Sequence, residues 1–273
     1  MSQLQSLPPK AMPKTIPDIV VALKAGQSFA KADLYQVDLR GLDLQTVNLA
    51  EATLIRANLS QTNLSHANLR GADLRGADLS GAVLQNTNLQ GACLYRVDLR
   101  GADLSEADLT DVRLKGALYD TQTRFPANFA YKSSGAIGPG ANLNGAPLNT
   151  ANLRSVDLQG ASLLGAYLGG ADLTGANLSG ARLVQADLRG ARLTGALLCQ
   201  ARLQGANLAG VDLRAADLTD VEFEQLESIA GTDFTLVQGL SAAMRSRLLK
   251  QPADELATRH PLTLKTTLAS LSN

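Results

Sequence analysis

The residues able to do acid–base, nucleophilic or metal chemistry are few and scattered. The chain has two histidines, His66 and His260, and two cysteines, Cys93 and Cys199. General acid–base catalysis needs a titrating group within hydrogen-bond reach of its partner, and neither histidine has a Ser or Cys at a nucleophile's spacing. No G-x-S-x-G, P-loop or H-E-x-x-H sequence occurs. Both histidines read as solvated surface residues, His66 at an outward corner and His260 in the tail. The cysteines lie far apart, match no zinc-ligand spacing, and read as free thiols in a reducing cytoplasm.

Aspartate is the one chemically active residue that recurs. It usually stands directly before Leu, and Asp38, Asn58, Asp78 and Asp98 fall 20 residues apart. A stack of carboxylates could hold cations, but Asn58 interrupts this one. Asp and Asn at such positions bond to nearby backbone. The expectation is no catalytic residue, no metal, no cofactor and no small-molecule substrate.

The elements that position these side chains follow from one periodicity. Leu occurs at every fifth residue from Leu34 to Leu114, seventeen times, and again from Leu143 to Leu218 and Phe223, another seventeen. Two residues before each stands a small or modest side chain, such as Ala32, Val37, Thr62 or Ala72. The consensus is A-(D/N)-L-x-G, as in Ala72-Asp73-Leu74-Arg75-Gly76. On a helix, residues five apart diverge by about 140°; on a strand they change face. Five fits a chain that turns a corner in every repeat, with Leu and the preceding small residue pointing inward and Gly at the corner. Four sides make a coil of about 20 residues, so residues 20 apart stack at roughly 4.8 Å. Interiors of this size normally rely on large rings, yet aromatics are only 4% and Trp is absent. Stacked Leu and Ala must fill the space.

This pattern resembles the pentapeptide-repeat family, over roughly residues 30–118 and 139–224. The resemblance implies an all-β fold, a right-handed quadrilateral β-helix (a solenoid), with short helical caps at both ends. Ile137-Gly138-Pro139-Gly140-Ala141-Asn142-Leu143, with the Thr-x-Phe-Pro before it, is similar to an insertion in cyanobacterial members. The expected organisation is a flexible segment 1–16, a helical cap 17–26, a first array 27–119, an inserted loop 120–138, a second array 139–224, and a helical cap and tail 225–273. Pro17-Asp18 opens the first cap, with Ile19, Val20 and Leu23 on one side and Gly26 ending it. A C-terminal helix is expected at 236–250, from the spacing of Leu236, Leu240, Met244, Leu248 and Leu249.

With no catalytic site, function falls to surfaces. One column stacks Tyr35, Ile55, Arg75, Tyr95 and Lys115; beside it stand Arg56, Arg96 and Arg113. Arg75 is expected to stack on Tyr95 as a cation–π pair. Leu164 and Val184 form an outward apolar pair in the second array, flanked by Arg182 and Arg202, and Phe125 and Phe129 could project from the loop. The resulting expectation is a scaffold or regulator that binds an unidentified protein partner, in the cytoplasm, with a homodimer through the C-terminal helix open. No run approaches the ~20 apolar residues that span a bilayer, so membrane insertion is not expected. The 25 basic and 25 acidic residues supply no excess cation to displace phosphate counterions. They also disfavour the alternative that the resemblance implies, a DNA-mimicking gyrase inhibitor, which needs a strongly negative surface.

Overall fold

The computed structural model describes residues 18, 19, 21, 22 and 25–272. The expected segment 1–16, and Pro17, Val20 and Leu23 of the first cap, lie outside the described residues. The described residues fall into two compact units: one reaching Ala117 and including Thr121–Phe129, the other containing Leu118–Asp120 and the chain from Ala130 onward.

The fold class expected from the sequence is corrected. No described residue belongs to an extended strand or a sheet, so the chain is not an all-β, right-handed quadrilateral β-helix. Each pentapeptide contributes one bridging residue between turns. That residue pairs in parallel with the one twenty positions on, as Asp33 with Thr53 and Asp73 with Cys93. Five residues that include a corner leave only one free to pair, so no strand can lengthen. The corner is enforced by a left-handed residue in each repeat: φ is +65° at Gly76 and 57° at Arg56. The hydrogen bonds therefore run from layer to layer. Leu34 N–H donates to Thr53 C=O at 2.8 Å, and Thr53 N–H to Ala32 C=O at 2.9 Å.

The 20-residue register is as expected. Asp38, Asn58, Asp78 and Asp98 bridge in succession. The leucines point inward, with Leu39, Leu74, Leu158 and Leu178 fully buried, and Ala72 and Ala176 beside them. Burying each leucine contributes about 1.5–3 kcal/mol. Where Thr replaces Ala, a buried hydroxyl needs an acceptor. Thr62 Oγ1 donates to Leu39 C=O at 3.0 Å and Thr87 Oγ1 to Leu64 C=O at 2.8 Å.

The segment read as an inserted loop partly continues the bridging. In the first unit, Arg124 bridges Asp103, 21 residues before it, and Thr123 Oγ1 reaches Leu99 C=O as an interior threonine does. In the second unit, Leu118 bridges Ile137, and Ala136 is fully buried. A 3-10 turn at Tyr131–Ser133 lies between these stretches.

The second unit also extends past Glu224. Ser228, Asp233 and Gln238 bridge Asn207, Asp212 and Asp217, each across 21 residues. One extra residue causes the change. Glu227 N–H donates to Ala206 C=O while Ser228 C=O accepts from Leu208 N–H, so two residues oppose Asn207 in a bulge. Leu236 is a left-handed corner, φ 59°, and 74% exposed, so no helix starts there. The helix expected over 236–250 is the shorter α1 (Ala242–Leu248), capped by Ser241 Oγ accepting from Met244 N–H. α2 (Ala253–Ala257) and α3 (Thr267–Leu271) follow. At the N-terminus, Asp18, Ile19, Val21 and Ala22 are helical. Among the described residues no helix is long and apolar enough to cross a membrane.

Candidate interaction surfaces

The recurring Asp and Asn before Leu act on the backbone. Asp33 Oδ1 accepts from Tyr35 N–H at 3.1 Å, and Asn58 and Asp98 do the same two residues on. Where Arg follows, it closes a fork onto the same carboxylate, as Arg40 does on Asp38, Arg189 on Asp187 and Arg214 on Asp212. Exposed pairs of this kind contribute at most about 1 kcal/mol. Among the described residues, no cluster of three His, Cys, Asp or Glu could hold a metal ion.

The basic face of the first unit is assembled by the register. Tyr35 is 50% exposed and Tyr95 38%. Arg56 and Arg96 stand at left-handed corners, φ 57° and 56°, where most repeats have Gly. Each side chain crosses a glycine of the next layer. A Cβ built on Gly76 would lie 3.7 Å from Arg56 Cγ, and one on Gly116 3.3 Å from Arg96 Cγ. The expected stack of Arg75 on Tyr95 is not what forms. Arg75 turns onto Asp73, with Nη2 at 2.7 Å from Oδ2. A fork on a carboxylate two residues away is the stronger interaction. Hydrogen bonding from Arg75 outweighs burial and holds the Asp73 carboxyl below the usual range, and Arg113 adds attraction. Arg56, Arg96, Arg113 and Lys115 form no ion pair among the described residues. The face therefore carries an excess of cation beside two exposed phenols.

The other candidates are more modest. Leu164 is 38% exposed and Val184 half-buried; they lie in adjacent layers, with Gly165 N–H donating to Val184 C=O. Phe125 and Phe129 do not stand out alone: the half-buried rings pack on each other at 5.9 Å between centroids. His66 is exposed, but His260 is 1% exposed, which corrects the expected surface histidine. Its Nδ1 accepts from Leu262 N–H and Thr263 N–H, at 3.2 and 3.1 Å, and so fixes a turn. Cys93 is buried and Cys199 half-buried, both as free thiols. Burial, then the Asp217 carboxylate, raise the Cys199 pKa, which keeps it protonated and unreactive.

One feature escapes the sequence entirely. Between the last bridged pentapeptide, Val221–Gln225, and α1 lies a cleft of about 550 Å³, walled by Phe223, Leu226, Met244 and Leu248. Only the bulge at Glu227, which breaks the count of five, hinted that the array ends irregularly.

Comparison with known proteins bears on all these surfaces. A family model described as pentapeptide repeats matches residues 28–65, 62–101, 82–118, 151–190 and 191–225. No protein of curated function matches. Among solved structures, the chain is similar to HetL, a pentapeptide repeat protein involved in heterocyst differentiation regulation from the cyanobacterium Nostoc sp. strain PCC 7120. Identity is 31%, covering 83% of this chain and 95% of that one, with a TM-score of 0.28. It is also similar to Rfr23, a pentapeptide repeat protein from the cyanobacterium Cyanothece 51142: 40% identity, 35% of this chain, 61% of that one, TM-score 0.24. QnrB1, a plasmid-mediated fluoroquinolone resistance protein, matches at 20% identity over 77% of this chain and 99% of its own, with a TM-score of 0.33.

Proposed function

The chain belongs to the pentapeptide-repeat family, and from that premise we propose that it is a non-enzymatic interaction protein whose first unit binds an acidic protein partner. Members of the family are generally non-enzymatic, interaction-type proteins. The observation that carries the reading is the placement of Arg56 and Arg96. Each occupies a left-handed corner that Gly fills more cheaply, and each extends across a glycine of the next layer. A non-Gly residue in that conformation costs about 1–2 kcal/mol, a strain that structures concentrate at functional positions. The two corners are two layers apart, roughly 10 Å. Together with Arg113, Lys115, Tyr35 and Tyr95 they suit a carboxylate-bearing surface, since Arg and Tyr are favoured where partners dock. Leu164, Val184, Phe125 and Phe129 are secondary contact candidates. DNA mimicry is not proposed, because 25 basic residues balance 25 acidic ones.

Affinity capture with the wild-type chain and with an Arg56→Glu/Arg96→Glu/Arg113→Glu variant tests this. The same partner should be retained by the first and lost by the second. Equal recovery of that partner by both would refute the reading.

A further inference from the structure

The array of the second unit ends in an edge that is closed everywhere except at Phe223. Three hydrogen bonds join each pentapeptide to the next layer. In the last complete case on this column, Glu222 N–H donates to Ala201 C=O at 3.0 Å, Leu203 N–H to Glu222 C=O at 2.8 Å, and Gly205 N–H to Gln225 C=O at 3.1 Å. One layer on, Val221 C=O, Phe223 N–H and Gln225 N–H hold the same three places. None of them has a partner among the described residues. On neighbouring columns the C-terminal segment supplies the missing groups. Ile229 N–H donates to the Glu255 carboxylate at 3.0 Å, Phe234 N–H to Ser270 Oγ at 3.1 Å, and Thr267 Oγ1 to Ile229 C=O at 3.2 Å. Above Phe223, α1 stands off instead and leaves the 550 Å³ cleft. On the cleft wall, Gln204 Oε1 is buried without a hydrogen bond while its amide donates to Glu222. That carboxylate fixes which way the amide points, so the acceptor faces the cleft.

We propose that this edge takes up an extended segment of a partner protein, which supplies the next rung through its backbone. Unpaired edges bind peptides in this way, with main-chain bonds giving affinity and side-chain places giving specificity. The column states what those side chains should be. The residue over buried Val221 must be small. The next stacks on Glu222, already approached from the other side by Arg202 Nε at 3.6 Å, and is therefore basic. The third enters between Phe223, Met244 and Leu248 and is apolar. Ala201-Arg202-Leu203 has this order and makes these contacts one layer below.

The probe is therefore the acetylated, amidated hexapeptide of residues 200–205, Gln-Ala-Arg-Leu-Gln-Gly, titrated calorimetrically into the intact chain. Saturable binding is expected. Methylating the peptide's Arg nitrogen, which removes the donor to Val221 C=O, should weaken it by about tenfold. Met244→Trp, which fills the cleft, should abolish binding while circular dichroism is unchanged; the methylated peptide tests the same point without altering the protein. Arg56→Glu/Arg96→Glu should leave peptide binding intact, so this inference stands or falls apart from the proposed function. No binding overturns it. Binding indifferent to methylation overturns it too, as apolar adsorption only. So does a free chain that light scattering shows as a dimer and the peptide splits, since a second copy would then hold the edge.

Discussion

Tyr119 occupies the space that Gly138 leaves by having no side chain. A Cβ on Gly138 would come 2.7 Å from Tyr119 Cδ2 and 2.6 Å from its carbonyl oxygen. Tyr119 stands where the count of five places a leucine, and it is 3% exposed. Its hydroxyl donates to Pro139 C=O at 2.9 Å, and its ring meets Tyr131 edge-on at 5.4 Å. Burial, and then the neighbouring Tyr131, raise its pKa far above the ordinary phenol.

Gly138→Ala should therefore destabilise the protein by about 1–3 kcal/mol, the usual cost of overpacking. Urea denaturation measures it. An unchanged midpoint would mean that the ring at 119 moves freely, contrary to its packing.

Charging the interior should be far worse. Leu74 and Leu178 are fully buried; truncation of either to Ala should cost about 2–5 kcal/mol, and Leu74→Lys more, because the ammonium has no partner there. Thermal unfolding followed by circular dichroism reads both. Wild-type stability in Leu74→Lys would contradict the inward direction of the leucines.

The interior threonines test hydrogen bonding without changing volume. Thr62→Val removes the donor to Leu39 C=O. That carbonyl keeps the backbone bond from Leu42, at 3.3 Å, so the loss should be only about 0.5–1.5 kcal/mol.

Acid sensitivity should localise at Asp212, which is 2% exposed. Burial alone would raise its pKa, but hydrogen bonds from the Arg214 side chain and backbone N–H, and from Thr194, outweigh it and hold the value below the usual range. A carboxyl depressed on folding contributes stability above its unfolded pKa of about 3.9, and loses it as pH falls through the folded value. Stability should accordingly decline below about pH 4. Asp212→Asn should lower the urea midpoint at neutral pH by about 1–3 kcal/mol and flatten that decline. An identical pH profile in the variant would assign the acid sensitivity elsewhere.

Arg56→Gly and Arg96→Gly should separate strain from function. Relief of the left-handed corner should stabilise by up to about 1 kcal/mol each, net of the extra freedom Gly gives the unfolded chain. Capture of the acidic partner should fall at the same time. Stabilisation with undiminished capture would leave these arginines without the role proposed.

The sequence by itself determined the interior and the register. Leu at every fifth position, with Ala two before it, can face one interior only if the chain turns once per repeat, and the 20-residue pairing of Asp38, Asn58, Asp78 and Asp98 follows. Tertiary structure decided what periodicity cannot encode. A corner in every five residues leaves a single bridge where a strand was expected, because hydrogen-bond pairing depends on how long the backbone stays extended. Arg75 chose Asp73 over Tyr95 because a fork to a local carboxylate outcompetes a ring in the next layer. His260 is buried because a tail that sequence leaves free folds back to cover the last layer's unpaired groups. The unfilled edge at Phe223 depends on where α1 comes to rest, and a local pattern carries no information about a helix that packs from beyond it.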